Sequence, residues 1–221
     1  MTGRLLVAVL LVAAPAVGAA LDVKIDRYRQ ASAAGAMGTI AGRAYEEPRK
    51  KTEGDRPLGD VAVTMLPRSD DFLARMSAIK ERMREDAAFY RQSAVAVITA
   101  RREFERALSA AGAGDLVRFG LVTPDGNFDV SVPAGPWIVM AHRAVFVAKA
   151  SPPPKLRYRG HDVFAQDPRL LGYYTIAVWL FELTVEPGKA AVIDLHDRNV
   201  WVTAIEERRD LGADPWSAPK P

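Results

Sequence analysis

The 221-residue chain contains no cysteine. That absence excludes disulfides, thiolate nucleophiles, cysteine-ligated zinc and a lipidated N-terminal cysteine together. Histidine is scarce, with three in the chain, and no H-E-x-x-H or comparable spacing joins them. No G-x-S-x-G elbow occurs, so the sequence carries no hydrolase nucleophile signature. Charge of one sign is missing too: 30 basic residues face 27 acidic ones, a net of +3. Arg49-Lys50-Lys51 is a basic cluster, but Glu46, Glu47, Glu53 and Asp55 flank it. A nucleic-acid binder shows a single-sign patch with a recognition motif, so nucleic acid is not an expected partner. Long apolar runs are equally rare. Leu5 to Ala14 is about half the roughly 20 residues a spanning helix needs, and no later run is long enough. No membrane span and no cofactor are expected.

That early run has a meaning of its own. Arg4 precedes it, Pro15 breaks it, and Val17-Gly18-Ala19 offers small residues at a cleavage point. This is the anatomy of a secretory signal peptide, so residues 1–20 are expected to be removed and the protein exported to the periplasm or beyond the cell. Residues 21–37 read as a lead-in arm.

Half of the composition, 49%, is hydrophobic, ample for one core. Gly38 to Tyr45 reads as a strand, and so does Val61 to Leu66, with Val61, Val63 and Met65 at period two. From Ser69 to Ala111 the character changes: no glycine or proline occurs, and Phe72, Met76, Ile79, Met83, Ala87 and Tyr90 recur every three or four residues. This predicts helix over 69–113, with Ser69, Asp70 and Asp71 as capping candidates. The flanking strands belong to one sandwich, so the segment must return on itself. A hairpin turning near Arg91-Gln92-Ser93 satisfies that. Its apolar stripe either covers a sheet or joins a second copy in a homodimer.

Strand chemistry resumes at Leu116. Thr123-Pro124-Asp125-Gly126 predicts a type I turn, Phe128, Val130 and Val132 alternate inward, and Trp137 to Val147 makes another strand. Tyr174 to Val185 is apolar at nearly every position, as in a strand covered on both faces. Glu186-Pro187-Gly188-Lys189 predicts a type II turn leading to an antiparallel partner over 190–195. Trp137 and Trp179 are assigned to the core. Residues 150–154 form a proline-rich connector, and 200–221 are expected to form a short helix and a mobile tail. The fold class is therefore mainly β, an antiparallel sandwich over 38–199 interrupted by the helical insert.

Four segments in order, Gly38-Thr39-Ile40-Ala41-Gly42, Pro57-Leu58 before Val61-Ala62-Val63, Thr123 to Phe128, and Val132-Pro133-Ala134-Gly135-Pro136-Trp137, resemble the carboxypeptidase regulatory-like family. That family has a transthyretin-like sandwich within the carbohydrate-binding-like fold, and Trp137 stands where it usually has Tyr. The resemblance covers 38–66 and 116–147. It implies a non-catalytic binding module on an exported protein. It says nothing of the 69–113 insert or the 150–173 loop.

Candidate ligand-binding residues are the aromatics in or beside loops, Tyr158, Tyr173, Tyr174 and Trp216, which a sugar ring can stack on; local packing is their plainer explanation. His142 lies on a strand, His161-Asp162 in the long loop, and Asp194, His196 and Asp197 at a strand end. No catalytic residue is assigned. The reading is an exported binding module with an envelope or extracellular protein or glycan as partner. The alternative is an exported metal-dependent enzyme using His161, His196 and Asp197.

Overall fold

The computed structural model describes residues 21–50, 52–149 and 169–210. The signal-like segment, the proline-rich connector with Tyr158, His161 and Asp162, and the tail with Trp216 lie outside them.

Two sheets and a layer of helices stack on one another. A short helix α1 (Ile25–Ala33) leads into β1 (Met37–Glu46), β2 (Arg56–Pro57) and β3 (Ala62–Pro67). The helical insert follows as α2 (Asp70–Glu85), α3 (Ala87–Tyr90) and α4 (Ser93–Ala110), and a 3-10 turn over Gly114–Leu116 closes it. Then come β4 (Arg118–Leu121), β5 (Asn127–Pro133), β6 (Gly135–Ala148), β7 (Arg169–Val185), β8 (Ala190–His196) and β9 (Val202–Asp210). One sheet has the order β4-β3-β6-β7-β9; in the other, β1 pairs with β2, β5 and β8. The expected β-sandwich with a helical hairpin is thus the architecture. Among the described residues no helix is long and apolar enough to cross a membrane.

Period two sorts the side chains between layers. Ile40, Phe128 and Val132 of the four-stranded sheet face Val63, Met65, Trp137, Val139 and Trp179 of the five-stranded one, and all are buried. Trp137 and Trp179 are core residues, as expected. The opposite face of the five-stranded sheet carries Leu66, Ile138, Met140 and Val178, also buried. It is covered by the helical stripe, in which Phe72, Met76, Val97, Ala100, Phe104 and Leu108 are buried. Phe72 stacks on Phe104 at 4.9 Å, and an Arg75–Glu103 ion pair joins the same two helices. Those contacts make α2 and α4 an antiparallel hairpin, with its stripe on the sheet.

Local chemistry places the hairpin. The Ser69 hydroxyl accepts from the Phe72 amide at 3.0 Å and starts α2. Asp86 ends it and caps α3, accepting from Ala88 and Phe89. The buried Ser93 hydroxyl donates to the Tyr90 carbonyl and accepts from the Ile205 amide on β9, which ties the hairpin to the sheet edge.

Two expectations are corrected. The 190–195 strand is not the partner of the strand before it; β8 pairs in parallel with β1, from Thr39↔Ala190 to Tyr45↔His196. The reason is that β7 already has β6 on one edge and β9 on the other. The 186–189 turn forms, with Gly188 at φ +70° and the Lys189 amide on the Glu186 carbonyl, but it carries the chain from one sheet to the other. Residues 202–210 are a strand and not a helix. The free edge of β7 captures them, and the β-branched Val202, Thr203 and Ile205 suit that pairing.

His142 sits on β6 under the hairpin, near Arg101 of α4, whose guanidinium also reaches Thr64 at 3.4 Å and Glu105 at 3.2 Å. Burial, and then the Arg101 cation, hold the imidazole below its ordinary value of 6.5. The folded protein thus binds fewer protons here than the unfolded chain. This contribution to stability is complete above the unfolded pKa and is lost as pH falls through the depressed one. We expect the urea midpoint to fall between about pH 7.5 and about pH 5.5, and His142→Gln to flatten that dependence.

Candidate functional site

The helices cover one outer face of the sandwich. The other outer face, on the four-stranded sheet, is open among the described residues; β1 is its central strand, with β8 alongside on one edge. Outward positions of β1 are Thr39, Ala41, Arg43 and Tyr45; those of β8 are Ala190, Val192, Asp194 and His196. β5 adds Asn127, Asp129 and Ser131. Small side chains make one end of this face flat, and its polar groups gather at the other.

There the register sets Tyr45 beside His196. Their rings stack at 5.5 Å with 16° between planes, and the Arg43 guanidinium lies 5.2 Å from the Tyr45 ring centre. Asp55 approaches Arg43 at 3.7 Å. Glu47 bridges the far side: one oxygen is 2.8 Å from Arg198, the other 2.8 Å from His196 Nδ1. The latter contact is not aligned as a hydrogen bond, so it acts as an ion pair when the imidazole is protonated. Burial, then the carboxylates of Asp194, Asp55 and Glu47, push the Tyr45 phenol above its ordinary value, with Arg43 opposing. The phenol therefore stays protonated and can donate as well as accept.

Core residues fix this end of β8. The buried Trp179 indole donates to the His196 carbonyl at 2.9 Å. The Asn199 side chain accepts from the His196 amide and donates to the Asp194 carbonyl, folding the turn after β8 back on itself. The Asp197 carboxylate accepts from the Glu47 amide at 2.9 Å, which ties that turn to the end of β1. Beside them Glu46, Glu47, Arg49, Glu53, Arg56 and Asp197 line a polar depression of about 340 Å³.

The residues singled out from sequence are dispersed. Tyr173 and Tyr174 are consecutive on β7, so their side chains leave opposite faces. Tyr174 packs on Phe146 at 5.2 Å, under the Arg208 guanidinium. His196 and Asp197 lie at the polar end of the open face, whereas His142 is beneath the hairpin. Among the described residues no group of three or more His, Asp or Glu side chains is placed to hold a metal ion. Tyr45 was passed over by sequence reasoning. Its signal was an aromatic two residues from an arginine on the outward period of β1; its neighbour His196 could not be read without the parallel pairing.

No protein-family model matches the chain. No curated protein matches it either. Among solved structures, the chain is similar to a Pseudomonas aeruginosa protein provisionally assigned as carbohydrate binding. The two share 12% identity over 73% of this chain and 88% of that one, with a TM-score of 0.35. A likeness that small carries no argument about ligand or family.

Proposed function

We propose that the protein is an exported, non-catalytic binding module of the carboxypeptidase regulatory-like type, and that it binds a glycan of the cell envelope or the exterior across Tyr45 and His196. The observation that carries this reading is the open face itself. It brings a protonated phenol, an imidazole, a guanidinium and the Asp194 and Asp55 carboxylates together at one end of a sheet. Sugar hydroxyls both donate and accept, and a cluster of ionised and neutral polar groups on a fixed scaffold matches that. Export is supported by the signal-like anatomy of residues 1–20. The family assignment is supported by the positions of Gly38, Gly42 and Gly126, where the motif glycines meet close backbone.

A glycan array probed with residues 21–221 tests the proposal. We expect a set of bound glycans whose affinity falls at least roughly tenfold in Tyr45→Ala and in Asp194→Ala, as loss of charge-assisted or aromatic contacts predicts. Tyr173→Ala should bind as the parent does. Binding lost in Tyr173→Ala but kept in Tyr45→Ala would move the site to the β6–β7 arm.

A further inference from the structure

We infer that the open edge of β4 takes up an extended acidic peptide segment of a partner protein as an added strand, a site separate from the glycan face. Among the described residues β4 ends the five-stranded sheet and pairs with β3 alone. The Val122 amide bonds back to the Val61 carbonyl, so the antiparallel alternation sends the N–H and C=O groups of Phe119 and Leu121 outward. Edge strands with free backbone groups are templates for strand addition. Nature usually blunts such an edge with charge; here the outward residues are Phe119, 66% exposed, and Leu121, 83% exposed. These exposures are high for large apolar side chains on a sheet.

Charge specifies the occupant. A groove of about 580 Å³ runs between β4 and α4, lined by Arg102, Arg106, Val117 and Phe119 among others. Arg102, Arg106 and Arg118 are exposed, and none makes an ion pair among the described residues. Glu105 also lines the groove, but Arg101 holds it. A strand entering this edge meets free peptide groups, two apolar side chains and three guanidinium groups without an ion-pair partner among the described residues. Acidic residues interleaved with apolar ones satisfy all three. A second copy does not, because pairing β4 with β4 brings the arginines of the two copies together.

A phage library of random ten-residue peptides, selected on residues 21–221, tests this. We expect enrichment of Asp/Glu-rich sequences containing Val or Ile. Their binding should weaken roughly tenfold or more in the double variant Arg102→Glu/Arg106→Glu, which reverses two charge-assisted contacts. Leu121→Pro deletes an outward N–H without touching a bond to β3, and it should weaken binding comparably; circular dichroism checks that it folds, and the arginine variant decides alone if it does not. Tyr45→Ala should leave peptide binding unchanged. Selection without acidic enrichment, or enriched peptides that bind the arginine variant equally well, overturns the inference. Uptake of phosphatidylglycerol vesicles with no peptide selected would overturn it too, making this a membrane-facing patch.

Discussion

Replacing Trp179 with alanine is expected to cost about 3–5 kcal/mol of stability, the range for removing a fully buried large aromatic. The ring is 1% exposed and stands between the two sheets, so the void it leaves has no route to solvent. A second loss adds to the first, because the indole N–H is the donor that holds the His196 carbonyl. A moderately stable domain has about 5–15 kcal/mol in total, so this single change is expected to bring the protein close to unfolding at 37 °C. Trp179→Phe separates the two contributions. It keeps most of the apolar volume and deletes the donor, and we expect a loss of about 1–3 kcal/mol. Glycan affinity should fall with it, because the end of β8 is no longer tied to the core. Chemical denaturation of the two variants, with m-values compared, checks both figures.

The second large effect is at Gly42. A Cβ there would stand 2.0 Å from the Ile193 carbonyl oxygen on β8 and 2.8 Å from the Phe128 ring. The first contact is with backbone and cannot be relieved by a rotamer change. Gly42→Ala must therefore push β8 away from β1, and we expect a cost of about 3 kcal/mol, the upper end for overpacking. The same shift separates Tyr45 from His196. Gly35→Ala is the useful contrast, because nothing lies within 4 Å of a Cβ there, although its positive φ adds backbone strain. Thermal melts of the Gly42 variant beside the parent test the claim, and an unchanged melting temperature would show that β1 and β8 do not pack this closely.

Gly42 also shows what the sequence could and could not convey. The paired glycines at 38 and 42 were visible as a motif, and the strand alternation around them was plain. Their purpose was not, because it is the passage of β8 and the 186–189 turn across β1. Gly38 meets Val185, Glu186 and Lys189 in the same way. Local signals worked where local physics decides: the Ser69 cap, the turns at 123–126 and 186–189, and the helical period of 69–113. They failed where a vacant sheet edge decides. The Ala204 to Arg208 stretch has helix-forming composition, yet the open side of β7 made it a strand. The type II turn suggested a hairpin, yet β9 had taken the hairpin partner's place.

The open face was legible only in part for the same reason. His196 and Asp197 stood out as polar residues at a strand end, and they do lie at that face. Tyr45, Glu47 and Asp55 come to them from about 150 residues away along the chain, through a parallel pairing that no local pattern encodes. The aromatic residues near loops, by contrast, drew notice because they are aromatic. Of the two that are described, Tyr174 is engaged by Phe146 and Arg208 and so has its own packing role.

The most direct test of the binding face is amide NMR of isotope-labelled protein titrated with the glycan that binds best on the array. The shifted amides are expected to cluster on Arg43 to Glu47 at the end of β1, Asp194 to Asn199 at the end of β8, and the Asp55 loop, with α2 and α4 unmoved. Shifts confined to the β6–β7 arm around Phe146, Tyr173 and Tyr174 would contradict it and place recognition on that arm instead.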